Sequence, residues 1–269
     1  MKRIAFLILL IGFAKHLLAQ PMASTNVLLF PYDPIYYMSD AENDIQQQSG
    51  EKDLKKIRNY FHEQSYDFVQ RNLSRKYSCY APMNDTSAAA YQLLVEVFKH
   101  TGYVMADPVV PDTSERKKLL SRLAFLKHNT EKSENEVNDD IDIAAEYHYI
   151  EDQKYLQASI NKKELFKTIQ NTYGSNYLVF LNQLEIKTDY INCIDASNKI
   201  YPRFVKMHYT IYNAQGAVVA GNTAIAEFKS STSHFETIRN ICFERVAEQI
   251  SGDIENINRK NKSEESASD

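Results

Sequence analysis

The densest run of side chains able to do chemistry is Glu146-Tyr147-His148-Tyr149-Ile150-Glu151-Asp152. Alternation along a strand would place Glu146, His148 and Ile150 on one face. A carboxylate beside an imidazole can poise a general base, though an exposed strand edge carries the same residues for no catalytic reason. The other histidines are His16, His62, His100, His128, His208 and His234. No two histidines stand four apart, and they read as surface or half-buried side chains rather than metal ligands. Cys79, Cys193 and Cys242 match neither CxxC nor a zinc spacing. An odd count leaves at least one outside any intramolecular bridge; a Cys79–Cys193 bridge stays open in an oxidising compartment. There is no GxSxG, HExxH, Walker loop or GxGxxG. Asp139-Asp140-Ile141-Asp142 lacks the glycine and the ligand spacing of a calcium loop. The sequence therefore assigns no catalytic, cofactor-binding or metal-ligating residue. An enzyme of unrecognised type would use His148 with Glu146 and Glu151.

The chain that must position these groups has 269 residues, 43% hydrophobic and 25% charged, the balance of a soluble globular protein. Seven glycines and seven prolines exclude collagenous and low-complexity classes. Lys2 and Arg3, an apolar run over residues 4–13, and Leu17-Leu18-Ala19 form the layout of a signal peptide over residues 1–19. The run is shorter than the roughly 20 residues a bilayer span requires, and no cysteine near Ala19 offers a lipobox. The expectation is a periplasmic, secreted or cell-surface protein without a membrane span after cleavage. Removing Lys2, Arg3 and Lys15 takes the formal charge from −4 to −7. An acidic chain has no general attraction for nucleic acid or anionic lipid. The basic groups (Lys52, Lys55, Lys56 and Arg58; Arg116, Lys117 and Lys118) read as solvated helix faces.

Periodicity sets out the elements. Asn26 to Pro31 is a short buried strand, and residues 32–50 read as a surface loop. Leu54, Ile57, Phe61, Phe68, Val69 and Leu73 mark one long amphipathic helix. A second helix, capped by Asn84-Asp85-Thr86, would turn Tyr91, Leu94, Val95 and Phe98 inward and stop at Gly102. A third is expected from Ser114, and the acidic stretch 127–146 reads as a loop excursion. Residues 154–160 form a strand. Asn161 and Glu164 open a helix that Gly174 ends, with Leu165, Phe166, Ile169 and Tyr173 as its face. Residues 177–186 follow as a strand with Leu178, Phe180, Leu184 and Ile186 on one side and Tyr177, Val179 and Leu181 on the other, apolar enough to be covered on both faces. Residues 204–212 and 217–228 pair as a long antiparallel hairpin around Asn213-Ala214-Gln215-Gly216. Ser233-His234-Phe235-Glu236 is a capping box for a last helix with the stripe Phe235, Ile238, Cys242, Val246, Ile250, Ile254 and Ile257. The prediction is an α/β (α+β sandwich) fold with a mixed sheet of about four to five strands packed by amphipathic helices. One domain covers residues 20–259, its helical and acidic middle falls at about 82–153, and residues 260–269 form a disordered tail.

The order helix, Gly174-Ser175-Asn176-Tyr177-Leu178-Val179, strand, strand, Tyr212-Asn213-Ala214-Gln215-Gly216 turn, strand and closing helix resembles a group of bacterial envelope proteins. That group includes the curli secretion lipoprotein CsgG, the penicillin-binding-protein activator LpoB and the N-terminal domain of TolB. Val27-Leu28-Leu29-Phe30-Pro31 looks like their first strand. The likeness covers about half of the chain beyond residue 19; residues 80–160 do not fit it, and the lipobox common in the group is missing. It implies an α/β sandwich and a role in binding or assembling other envelope components without catalysis. It carries no functional residue across.

Tyr32, Tyr36, Tyr37 and Met38 cluster after the first strand. Tyrosine and methionine give contact area at little entropic cost, so these four are the candidate interface; their alternative role is to roof the core. The expected partner is another envelope protein or a second copy of the chain.

Overall fold

The computed structural model describes residues 26–111 and 154–268. Strand β1 is Asn26–Phe30, followed by a 3-10 turn at Pro34–Tyr36 and by β2 at Tyr37–Ser39. Helix α1 is Glu42–Ser49, α2 is Leu54–Ser74, β3 is Ser78–Tyr80 and α3 is Ala88–His100. Strands β4 (Thr101–Ala106) and β5 (Tyr155–Ile160) pair with each other; α4 is Glu164–Tyr173. Then come β6 (Tyr177–Thr188), β7 (Pro202–Asn213) and β8 (Val218–Lys229). The chain closes with α5 (Phe235–Ile238), a π turn (Arg239–Phe243) and α6 (Glu244–Ser268).

The main sheet runs β3-β1-β6-β7-β8. β1 and then β2 pair parallel with successive halves of β6, and the other partners of β6 and β7 are antiparallel. The sheet is mixed, and the hairpin β7–β8 turns at Gly216, whose φ of 81° needs a residue without a Cβ. On the first face, Val179, Leu184, Val205 and Met207 meet Ile57, Phe61 and Val69 of α2 and Ile250 and Ile254 of α6. Each such fully buried aliphatic side chain contributes about 1.5–3 kcal/mol. β8 gives this face Ala220, Ala224 and Ala226, small enough for α6 to lie close. On the second face, Leu28, Phe30, Leu178, Phe180 and Tyr212 meet Val97 of α3, Ala158 of β5 and Leu165, Phe166 and Ile169 of α4.

The closing stripe is buried as the sequence implies, with Phe235 half-buried at its start. From Ile238 to Ile254 it repeats every four residues, slower than a 3.6-residue turn. The π turn at Arg239–Phe243 absorbs extra chain at its start and keeps Cys242 and Val246 on the sheet. The outer edge of β8 is closed as well. Gly221 exchanges both backbone bonds with Val109 (2.8 and 2.7 Å). The Gln249 side-chain amide takes the Ile225 N–H (2.9 Å) and donates to the Ile225 carbonyl (2.7 Å). An edge occupied in this way offers no template for another strand.

Several expectations are corrected. Residues 32–50 are not one loop, because Asp33 caps the Pro34–Tyr36 turn, β2 joins the sheet and α1 follows. Helix α3 starts at Ser87, whose hydroxyl accepts from Ala90 N–H, and it buries Ala90 and Val97 while Tyr91 and Val95 are exposed. Gly102 does not end a segment there but sits inside β4. A bulge between Leu181 and Gln183 turns Leu184 and Ile186 onto the face of Val179 and Leu181, against the simple alternation. Helix α4 has no side-chain cap from Asn161. His234, not Ser233, caps α5, because the Ser233 hydroxyl is taken by Arg203. α6 continues through Ser268, so residues 260–268 are helical; the stretch is rich in Lys, Glu and Ala and holds no Gly or Pro to stop it. The signal-peptide residues, the helix expected from Ser114 and the acidic stretch 127–146 lie outside the described residues.

Two stability tests follow from this packing. A Cβ at Gly221 would sit 2.0 Å from the hydroxyl of buried Tyr155. Gly221→Ala should therefore destabilise by about 1–3 kcal/mol, the usual cost of overpacking, seen as a lower midpoint in urea; an unchanged midpoint would show that Tyr155 is free to move. Second, the Tyr209 hydroxyl donates to Asp253 Oδ2 (2.5 Å) on α6. Burial pushes the Asp253 carboxyl up to about 6, with the tyrosine bond opposing. The folded state then holds more protons than the unfolded chain between about pH 4 and 6, so stability falls as pH rises through that window, by up to about 3 kcal/mol. Asp253→Asn should remove this decline and be more stable than wild type at neutral pH, as read by denaturation at several pH values.

Candidate functional site

The four residues expected at an interface separate in the structure. Tyr32 is buried: the chain stays extended past Pro31, and the ring meets the His62 ring edge-on at 4.8 Å. Its carbonyl accepts from His62 Nε2 at 2.8 Å. Tyr32 is therefore core and not contact surface. Asp33 Oδ1 then accepts from the Ile35 N–H (3.0 Å), and the turn lifts Ile35 to 75% exposure. In β2, pairing alternates the side chains. Tyr37 lies opposite Leu184, faces α2 and stacks on Phe61 at 6.1 Å. Burial pushes its hydroxyl well above the usual phenol range. Met38 lies opposite Glu185 on the second face and is 52% exposed. The Tyr36 ring meets Tyr103 of β4 at 4.5 Å. That contact joins the turn to β4, where Val104 and Met105 are exposed. The apolar surface the structure assembles here is Ile35, Tyr36 and Met38 with Val104 and Met105. The β4 pair was hidden in sequence by reading Gly102 as a stop; the signal for it was the apolar run Tyr103-Val104-Met105 just beyond.

The second face also holds a polar row that sequence reasoning missed. Gln183, Glu185, Lys206 and His208 are all buried there. Glu185 lies opposite Lys206, and Gln183 opposite His208. His208 Nδ1 accepts from the Leu156 N–H of β5 at 2.9 Å. The acceptor must be unprotonated, which leaves the proton on Nε2, 3.4 Å from Glu185 Oε1. Burial alone would raise the Glu185 carboxyl; His208 and the Lys187 ammonium (3.1 Å) outweigh it and hold the pKa at about 2. Burial lowers the Lys206 ammonium to about 8, with Glu185 opposing. Beside this row Thr210 Oγ1 accepts from Ala158 N (3.1 Å) and from Asn182 Nδ2 (2.8 Å), and Asn182 also donates to the Leu156 carbonyl (2.7 Å). The imidazole lone pair that a general base would need is spent on a backbone N–H. The arrangement fastens β5 across the sheet.

The remaining chemistry is similarly placed. His100 Nε2 stands 3.2 Å from Glu96 Oε1, and His234 caps a helix. Cys79, Cys193 and Cys242 are unbridged. Burial pushes the Cys79 thiol up to about 11 and Cys242 to about 12, the direction away from nucleophilic thiolate. Among the described residues no group of three or more His, Cys, Asp or Glu is placed to hold a metal ion. Glu146, His148 and Glu151 lie outside the described residues.

No family model matches this sequence, and no curated protein matches it. Among solved structures the chain is similar to the crystal structure of lipoprotein GNA1162 from Neisseria meningitidis, at 10% identity over 85% of this chain and 99% of that one. The TM-score is 0.29, and a superposition that loose carries no argument about fold or function.

Proposed function

We propose that this protein is an exported, non-enzymatic binding and assembly module of the bacterial cell envelope that engages another envelope protein. The observation that carries the reading is a contrast. The polar groups described on the sheet are committed to internal bonds: His208 to β5, Glu185 to Lys187, Thr210 to Asn182. The apolar side chains of Ile35, Met38, Val104 and Met105 are left on the surface around the Tyr36–Tyr103 contact. Rigid apolar side chains beside a half-buried aromatic are the composition of an interface centre. The leader-like residues 1–19 and the element order shared with the envelope group support the location.

The combined variant Ile35→Ser, Met38→Ser and Val104→Ser should fold with a wild-type circular dichroism spectrum and melting midpoint, because these side chains add little to the core. In a pull-down from cell envelopes, the variant should lose the protein that wild type retains. Recovery of that protein at wild-type yield would remove this surface from the reading, and a turnover activity of the purified chain would overturn the reading itself.

A further inference from the structure

We propose that the loop between β6 and β7 docks this protein onto the surface of an anionic phospholipid bilayer. The loop is pre-built. Asp189 Oδ1 accepts from the Ile191 and Asn192 N–H groups (2.9 and 3.2 Å), and its Oδ2 accepts from Asn192 Nδ2 (2.7 Å). Asp195 repeats the pattern with the Ser197 and Asn198 N–H groups (2.9 and 3.1 Å) and Asn198 Nδ2 (2.8 Å). Ile194 N–H donates to the Ile200 carbonyl (2.8 Å), and Ile200 N–H returns to Asp195 (2.9 Å). Between the two aspartates stands an uncharged run, Tyr190-Ile191-Asn192-Cys193-Ile194. Ile191 is 92% exposed, Tyr190 63% and Ile194 47%. The Tyr190 ring rests on Tyr201 at 5.4 Å, so the loop stem braces it.

The occupant follows from charge. At this end of the molecule the carboxylates are drawn inward. Asp40 accepts from the backbone N–H and hydroxyl of Thr188, Asp44 pairs with buried Arg203, and Asp189 and Asp195 bond their own loop. The cations are not. Lys199, on the loop, and Lys229, opposite Pro202 at its base, are exposed, and among the described residues neither lies in an ion pair. A chain of net charge −4 therefore presents, at one tip, two isoleucines and a tyrosine flanked by unpaired lysines. Apolar side chains that enter the acyl boundary, an aromatic ring at headgroup depth and lysines on lipid phosphates are the parts of an interfacial anchor. Pre-ordering spares the entropy of fixing the loop on contact. The net acidity still opposes general adsorption, so contact is confined to this tip.

Sedimentation of the purified chain with vesicles tests this, using phosphatidylglycerol mixed with phosphatidylcholine and, separately, phosphatidylcholine alone. Wild type should bind the mixed vesicles, more weakly in high salt and more weakly to phosphatidylcholine. Ile191→Asp should lower binding at least tenfold, and Lys199→Glu with Lys229→Glu should remove the preference for the anionic vesicles, both with unchanged melting midpoints. Wild type that stays in solution with either vesicle, or Ile191→Asp that binds as wild type does, overturns the proposal. Loss of a co-purifying protein from Ile191→Asp, with no vesicle binding by wild type, would make the tip a protein contact and also overturns it. The readout involves neither Ile35 nor Met38, so it fails or holds independently of the envelope-partner reading.

Discussion

The burial of β6 on both faces governs the rest of the molecule. Eleven of its twelve residues are buried, and only Lys187 reaches partly into water. A strand in that position must have its backbone paired on each side and its side chains covered above and below. The pairing is met on one side by β7 and on the other by two short strands in relay, β1 along its first half and β2 along its second. Using β2 there requires the chain to return to the sheet right after β1, and the Asp33-capped turn makes that return. The exposed Ile35 and Met38 are a by-product of the return, because a tight turn and an edge strand cannot bury every side chain they carry.

The two covers of β6 work by different physics. On the helical face the contact is aliphatic and aromatic. On the other face the apolar patch ends at Phe180, the bulge turns Asn182 inward, and beyond it come Gln183, Glu185, Lys206 and His208. β5 crosses this boundary and is held by side-chain bonds to its backbone: His208 to Leu156 N–H, Asn182 to Leu156 C=O, Thr210 to Ala158 N–H and Tyr212 to Ala158 C=O. Each backbone group left without its partner would cost about 1–3 kcal/mol. Four such bonds fix where the ribbon lies more closely than apolar contact alone would. The polar row is therefore a registration device for β4–β5, and β4 carries Tyr103, Val104 and Met105 to the place where Tyr36 meets them.

Legibility in the sequence followed the strength of the periodic signal. The hairpin β7–β8 alternates over twelve-residue strands around a glycine that needs a positive φ, and the closing stripe repeats its apolar positions seven times; both were readable. α2 and α4 were readable for the same reason. Short elements were not. β2 has three residues and β3 three, too few for alternation to show. Helix α3 is apolar on more than one side, so its inward face could not be chosen until β1 and β4 were placed, and Tyr91 and Val95 were assigned the wrong way. Tyr32, Tyr36, Tyr37 and Met38 looked equivalent as a cluster; the register of β2 against Leu184 and Glu185 sorted them, and register is a long-range property. The loop tip at Tyr190–Ile194 was legible only in composition, because nothing local says that the flanking aspartates turn inward.

The two surfaces are linked by the strand they share. β2 ends at Ser39, opposite Ile186, and Asp40 accepts from Thr188, one residue before the loop begins at Asp189. Met38 is therefore within a few residues of strand of the tip that carries Ile191. A molecule resting on a bilayer by that tip would hold Met38 near the headgroups, and its partner would have to be reached there and not in bulk solution. The last turn of β6 is also where Arg203 gathers Thr188, Ser233 and Asp44, so loop base, closing helix and α1 share one buried guanidinium. Removing one partner of a buried charge costs more than the contact alone, because the other is left unpaired. Any change at that base therefore reaches both surfaces together, which couples how this end is held to what it can hold.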